Sequence, residues 1–150
     1  KYHTSEKKLL YDFDEGIKKY KENNLKFLNY KEFKQNNSLK EVLSQHKELT
    51  EVYTSRIDKL HSGTIEMGAV PIFINQLTAA GFRNSKLVSL NSALITHCKK
   101  KNYKCIDVAS NLDGKLDFWW DGIHTTPKGS QEIANIIAPE LIKIFDETNK

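Results

Sequence analysis

Through most of the chain, apolar residues return every three or four positions, the spacing that gathers them on one face of a helix. Leu9, Leu10, Phe13, Ile17 and Tyr20 predict a first helix within residues 1–24, with Thr4 or Ser5 as N-cap and Gly16 weakening it. Residues 25–37 keep no single period: Leu25, Phe27, Tyr30 and Phe33 suit a short strand, a helical turn or a flap. At Ser38 the rhythm resumes. Ser38-Leu39-Lys40-Glu41 has the form of a capping box, and Leu39, Val42, Leu43, His46, Leu49, Tyr53, Ile57 and Leu60 then draw one continuous stripe. That stripe predicts an unbroken helix, loosened at His61-Ser62-Gly63 and stopped by Gly68.

Two stretches depart from the helical rhythm. Val70–Asn75 and Tyr103–Val108 are short, nearly uninterrupted apolar runs, which suit strands covered on both faces in a parallel sheet. Pro71 is tolerable near a strand's start, where the ladder needs no donor. Between the runs, Asn84 or Ser85 caps a helix that lines Leu87, Val88, Asn91, Leu94, Ile95 and Cys98 along one face. A strand-helix-strand unit of this length implies a right-handed crossover between parallel neighbours. Asp107, near the end of the second run, either faces the site or caps the next loop, and capping is the expectation. Thr126-Pro127 supplies an N-cap and a first-turn proline for a last helix, whose Ile133, Ile136, Ile137, Leu141, Ile144 and Phe145 face inward. Pro139, well inside that helix, is expected to kink or break it.

Composition changes this picture little. With 150 residues and 39% apolar content the chain suffices for one domain. Its net charge of +4 is spread along the whole length. The densest basic run, Lys99-Lys100-Lys101, falls where a helix ends and complements the helix dipole, so no nucleic-acid partner is expected. No apolar run is long enough to span a membrane. Cys98 and Cys105 lack zinc spacing and are expected as two buried thiols. They do not fix a compartment.

Candidate chemistry concentrates in one stretch, Asp117 to Gly129, which holds both tryptophans, Trp119 and Trp120, and places Asp121 three positions before His124. An aspartate and a histidine so spaced, just ahead of a helix, can fold back on each other. The carboxylate then accepts the ring Nδ1–H and leaves Nε2 free as a base. The run Asp113, Asp117, Asp121 and His124 has no second histidine nearby, so no metal and no cofactor is expected.

Asp121-Gly122-Ile123-His124, with Gly129 five positions after the histidine and Ile133-Ala134 in the helix beyond, resembles the last conserved block of the SGNH (GDSL-like) hydrolases. The resemblance covers residues 38 to 145. It implies an α/β fold, a three-layer flavodoxin-like parallel sheet, of which residues 38–150 are the C-terminal half and residues 1–37 a helical insertion or lid. It also implies a serine esterase or lipase acting on acyl esters, with Asp121 and His124 as triad members. The family's Gly-Asp-Ser and Gly-x-Asn-Asp blocks are absent from this sequence. The nucleophile would therefore lie on a segment not present here, and no serine of this chain is promoted to that role.

Trp119, Trp120, Gln76 and Phe82 are the expected walls of a substrate site, the first two offering aromatic stacking to an acyl group or a sugar. Thr78 and Arg83 belong to the same connection. The expected substrate is a small acyl ester or an acylated carbohydrate or lipid. An acyltransferase, or a non-catalytic interaction or carbohydrate-binding remnant of the fold, is the alternative. The strand Val70–Asn75 would need its outer edge covered by an N-terminal half of the fold, from the same polypeptide or a separate chain, or by a second copy.

Overall fold

The computed structural model describes residues 38–78, 84–112 and 116–148. The stripe that begins at Ser38 forms two helices: α1, Ser38–Gln45, and α2, Lys47–Glu66. His46 interrupts them with φ −116° and ψ 25°. Apolar spacing alone does not register this single non-helical residue. Gly68, at φ +77°, turns the chain out of α2, a conformation that costs glycine nothing sterically. Strand β1 then spans Ile72–Ile74, and helix α3 spans Ser85–Lys101. Asn84 caps α3, its side chain accepting the Leu87 N–H. Asn102 in the left-handed conformation ends it and reverses the chain into β2, Lys104–Ile106. Asp107 caps the short α4, Val108–Asn111, and a 3₁₀ turn at Leu116–Phe118 leads to α5, Pro127–Thr148.

The two strands pair in parallel, with Ile72 opposite Lys104, Phe73 opposite Cys105 and Ile74 opposite Ile106. Alternation along them sends side chains to opposite faces. Phe73 and Cys105 pack with Tyr53, Ile57, Leu94 and Cys98 beneath α2 and α3. Ile72 and Ile106 pack with Ile133, Ile136, Ile137, Leu141 and Ile144 of α5, where Trp119 and Phe118 join the same core. Ser89, fully buried on α3, donates to the Val42 carbonyl and ties α1 to this assembly.

The expected three-layer flavodoxin-like sheet is not what the chain forms. Among the described residues helix makes up 71% and the sheet has two strands, so this is a small α-rich fold. Local chemistry shortens the strands. Pro71 has no N–H to give and Val70 stays half exposed, so β1 begins only at Ile72. Past Asn75, whose N–H still reaches the Ile106 carbonyl, the buried Asn75 side chain takes over from the ladder. Its Nδ2 donates to Asp107 Oδ1 at 2.7 Å and its Oδ1 accepts the Ala109 N–H at 2.8 Å.

Cys98 and Cys105 are joined as a disulfide, not kept as thiols, because the Asn102 reversal brings their α-carbons to 6.2 Å. Helix α5 is not broken at Pro139, which lies within one continuous helical span. The expected first helix and the segment after it, residues 1–37, lie outside the described residues.

The chain direction fixes which end of the sheet carries what. Lys104, at the start of β2, pairs with Glu147 near the end of α5, so the start of α5 lies at the strands' carboxyl ends. Asn91 Nδ2 binds the Gln76 carbonyl at 2.6 Å, which brings the first half of α3 to that same end.

Candidate functional site

The segment from Asp117 to Thr126 is closed into a loop by its own backbone. Trp119 and Thr125 form an isolated antiparallel bridge, the Trp120 N–H donates to the His124 carbonyl at 2.8 Å, and the Thr126 N–H donates to the Phe118 carbonyl at 2.9 Å. Thr126 also caps α5 through the Gly129 N–H and donates its hydroxyl to the Asp117 carbonyl. Lys128 Nζ reaches Asp117 Oδ2 at 3.0 Å and lies over the Phe118 ring. These contacts fix where His124 stands relative to α5.

Inside the loop, Asp121 holds three donors. Its Oδ1 accepts the Ile123 and His124 N–H groups, each at 2.7 Å, and its Oδ2 lies 2.6 Å from His124 Nδ1. The hydrogen bond from the His124 ring, reinforced by the His124 and Ile123 backbone donors, lowers the Asp121 pKa to about 2. The aspartate is thus held as an anion against the imidazole. With Nδ1 donating to it, Nε2 is the ring's basic nitrogen, and it meets no hydrogen-bond partner among the described residues. The His124 side chain is 68% exposed. The arrangement can take up a proton at Nε2 and stabilise the resulting imidazolium.

The adjacent tryptophans divide sharply. Trp119 is buried in the core beneath the loop, and its indole N–H has no partner among the described residues. Trp120 is 45% exposed beside the histidine, with Ile123 exposed as well. Sequence reading singled out both tryptophans but passed over Ile123. Its signal was an apolar residue between Gly122 and His124 in an otherwise polar turn. Gln76 lies just past β1 with its side chain exposed and its carbonyl engaged by Asn91. Leu77, next to it, is the residue that enters the core. Thr78 is half buried, with its hydroxyl unpartnered among the described residues. Phe82 and Arg83 lie outside the described residues.

A cavity of about 320 Å³ opens at the carboxyl ends of the strands, lined in part by Asn75, Asn91, Ser92, Lys99, Asp107 and Ser110. Trp119, Trp120 and Gln76, expected as walls, do not border it. Among the described residues no group of three or more histidine, cysteine or acidic side chains is arranged to hold a metal ion. Nor is any helix among them long and apolar enough to cross a membrane. Compared with known proteins, the chain matches no family model, no curated protein and no solved structure.

Proposed function

We propose that Asp121 and His124 form the acid-base pair of an acyl-ester hydrolase related in its site chemistry to the SGNH enzymes. The observation that carries this reading is the 2.6 Å contact between His124 Nδ1 and Asp121 Oδ2, with Nε2 unpartnered among the described residues on an exposed loop before α5. In this role His124 removes the proton from a serine hydroxyl supplied by another segment and returns it to the leaving alcohol. Asp121 keeps the ring in the required tautomer and stabilises its charged form. General-base assistance of this kind is worth about 10²–10⁴ in rate. The partner is the N-terminal part carrying the nucleophile, and the substrate is a small acyl ester or an acylated carbohydrate or lipid. Acyl transfer to an acceptor other than water uses the same two residues.

The test is hydrolysis of 4-nitrophenyl acetate by the protein as isolated from its source, beside the His124→Ala variant. A fall of about 100-fold or more supports the assignment. Unchanged turnover removes it. A second reading, a non-catalytic carbohydrate-binding loop, draws on the exposed Trp120. Oligosaccharide quenching of tryptophan fluorescence that persists in His124→Ala, in a protein with no esterase activity, would favour it.

A further inference from the structure

A second histidine meets a hydroxyl elsewhere in the chain. His46, the residue that separates α1 from α2, has its Nε2 3.1 Å from the Oγ of Ser85, the first residue of α3. The two are 39 residues apart in sequence, and both are half buried, so neither is sealed from a small molecule. With the ring proton on Nδ1, Nε2 accepts the Ser85 hydroxyl proton. From this contact we propose that Ser85 and His46 are a nucleophile-base pair that forms a covalent adduct with activated acyl esters and their phosphonate analogues.

Three features of the surroundings bear on this. First, Ser85 opens the helix that follows β1, so it lies toward the carboxyl end of the two-strand sheet and not beneath its helices. Second, it sits at the positive end of a 17-residue helix, which favours the developing alkoxide. Third, the first turn of α3 is only partly satisfied. Asn84 takes the Leu87 N–H with its side chain and the Val88 N–H with its carbonyl. The Ser85 and Lys86 N–H groups have no acceptor among the described residues and can meet an oxyanion formed beside them. His46 has no carboxylate on its other nitrogen among the described residues, so the pair is a dyad and slower than a full triad.

The reaction balances without a further cofactor. The Ser85 Oγ bonds the ester's carbonyl carbon as its proton passes to His46 Nε2. The tetrahedral adduct then expels the alcohol, which takes that proton, leaving an acyl-Ser85 ester. Water, giving a proton to His46, attacks the acyl carbon next, and loss of the Ser85 oxygen restores the hydroxyl and releases the carboxylic acid. A fluorophosphonate stops at the first stage, its phosphorus bonded to Oγ and fluoride expelled.

The experiment is to treat the intact chain with a fluorophosphonate and locate the adduct by peptide mass spectrometry. The expected result is one adduct on Ser85, absent in Ser85→Ala and reduced at least tenfold in His46→Gln. Ser44→Ala, which removes an exposed hydroxyl bound only to the Glu41 carbonyl, keeps the label. Thermal unfolding of each variant shows whether a lost label reflects a lost fold. If His46→Gln unfolds, the pH dependence of labelling in the unaltered chain decides: a rate that rises with loss of one proton supports the dyad, and a flat profile overturns it. No adduct on Ser85 in the unaltered chain overturns the proposal outright, as does undiminished labelling in a folded His46→Gln variant. The outcome is independent of the His124 assignment: esterase activity lost in Ser85→Ala but kept in His124→Ala would reject the latter and support this dyad.

Discussion

Gly129, in the first turn of α5, is stacked against the backbone of Phe118, so that a β-carbon at position 129 would collide with the Phe118 carbonyl oxygen and carbon. The same carbonyl accepts the Thr126 N–H, so it cannot swing away without opening the loop that carries Asp121 and His124. Gly129→Ala gains about 1 kcal/mol of helix propensity. A backbone collision of this kind costs about 1–3 kcal/mol, and the displaced loop adds to it. The expected outcome is a lower urea midpoint together with reduced His124-dependent hydrolysis.

Removing the charge at position 121 tests the pairing more directly. The folded-state pKa of Asp121, about 2, lies below its ordinary 3.8, so the aspartate contributes stability above pH 3.8. That contribution fades as pH falls from 3.8 toward 2. In Asp121→Asn the corresponding acid-side slope of the unfolding free energy is expected to flatten, and ester hydrolysis at neutral pH to drop by about 10²-fold or more. Urea titrations between pH 2 and pH 6 measure the first effect, and initial rates the second.

A second carboxylate has a wider pH window. Asp58 on α2 accepts His97 Nε2 at 2.7 Å and the Tyr103 hydroxyl at 2.9 Å, with Lys101 Nζ 3.6 Å away. The His97 hydrogen bond, and after it that of Tyr103, lowers the Asp58 pKa, while the bond to Asp58 raises that of the Tyr103 phenol. The contribution of Asp58 is therefore complete above its ordinary value, 3.8, and that of Tyr103 below its own, 10.0. The tie weakens as pH falls below the first, where Asp58 takes a proton, and as pH rises above the second, where Tyr103 loses one. Asp58→Asn is expected to flatten both limbs of a stability-pH curve measured by urea unfolding.

Asn75→Ala should strand the Ala109 N–H and leave Asp107 Oδ1 with the Ser110 N–H as its remaining donor. Leaving a buried donor unpaired costs about 1–3 kcal/mol. Hydrogen exchange at the Ala109 amide is expected to accelerate well beyond that at Leu94, which lies on the other face of the sheet.

The Cys98–Cys105 link closes a short loop, seven residues apart in sequence. Loop-closure entropy alone makes its loss worth about 2–3 kcal/mol. Reduction, or the double substitution to alanine, should lower the thermal midpoint by several degrees. Both thiols should become available to alkylation only after reductant is added.

The parts of the fold visible beforehand were those set by local pattern. The β-branched run around Ile72–Ile74 and the run around Lys104–Ile106 both form strands, though each was expected longer. Asn84, Asp107 and Thr126 all act as helix caps, as their side-chain types suggested. The Asp121 and His124 side chains meet because three residues of turn suffice to bring them together. What escaped depended on distance along the chain or on a single dihedral. Apolar spacing does not tell a helical His46 from one that breaks the helix. Nor does it foresee a Ser85 contact 39 residues away. Which of two adjacent tryptophans is buried depends on the register of the Trp119–Thr125 bridge. The larger sheet came from family likeness and not from strand-forming segments, and that is where the expectation failed.

The parallel pairing of β1 with β2 has a consequence for how the chain acquires its shape. Asn75 and Asp107, which join the strand ends, are 32 residues apart, and α3 occupies most of the interval. Closing that interval as loose coil would cost entropy that a three-residue ladder returns poorly. Helix α3 shortens the gap and carries Leu94 and Cys98 to the strand face, so it is expected to be structured in the rate-limiting step, with the ladder forming late. Weakening α3 on its solvent side should accordingly slow refolding, while weakening the strand ends should mainly hasten unfolding.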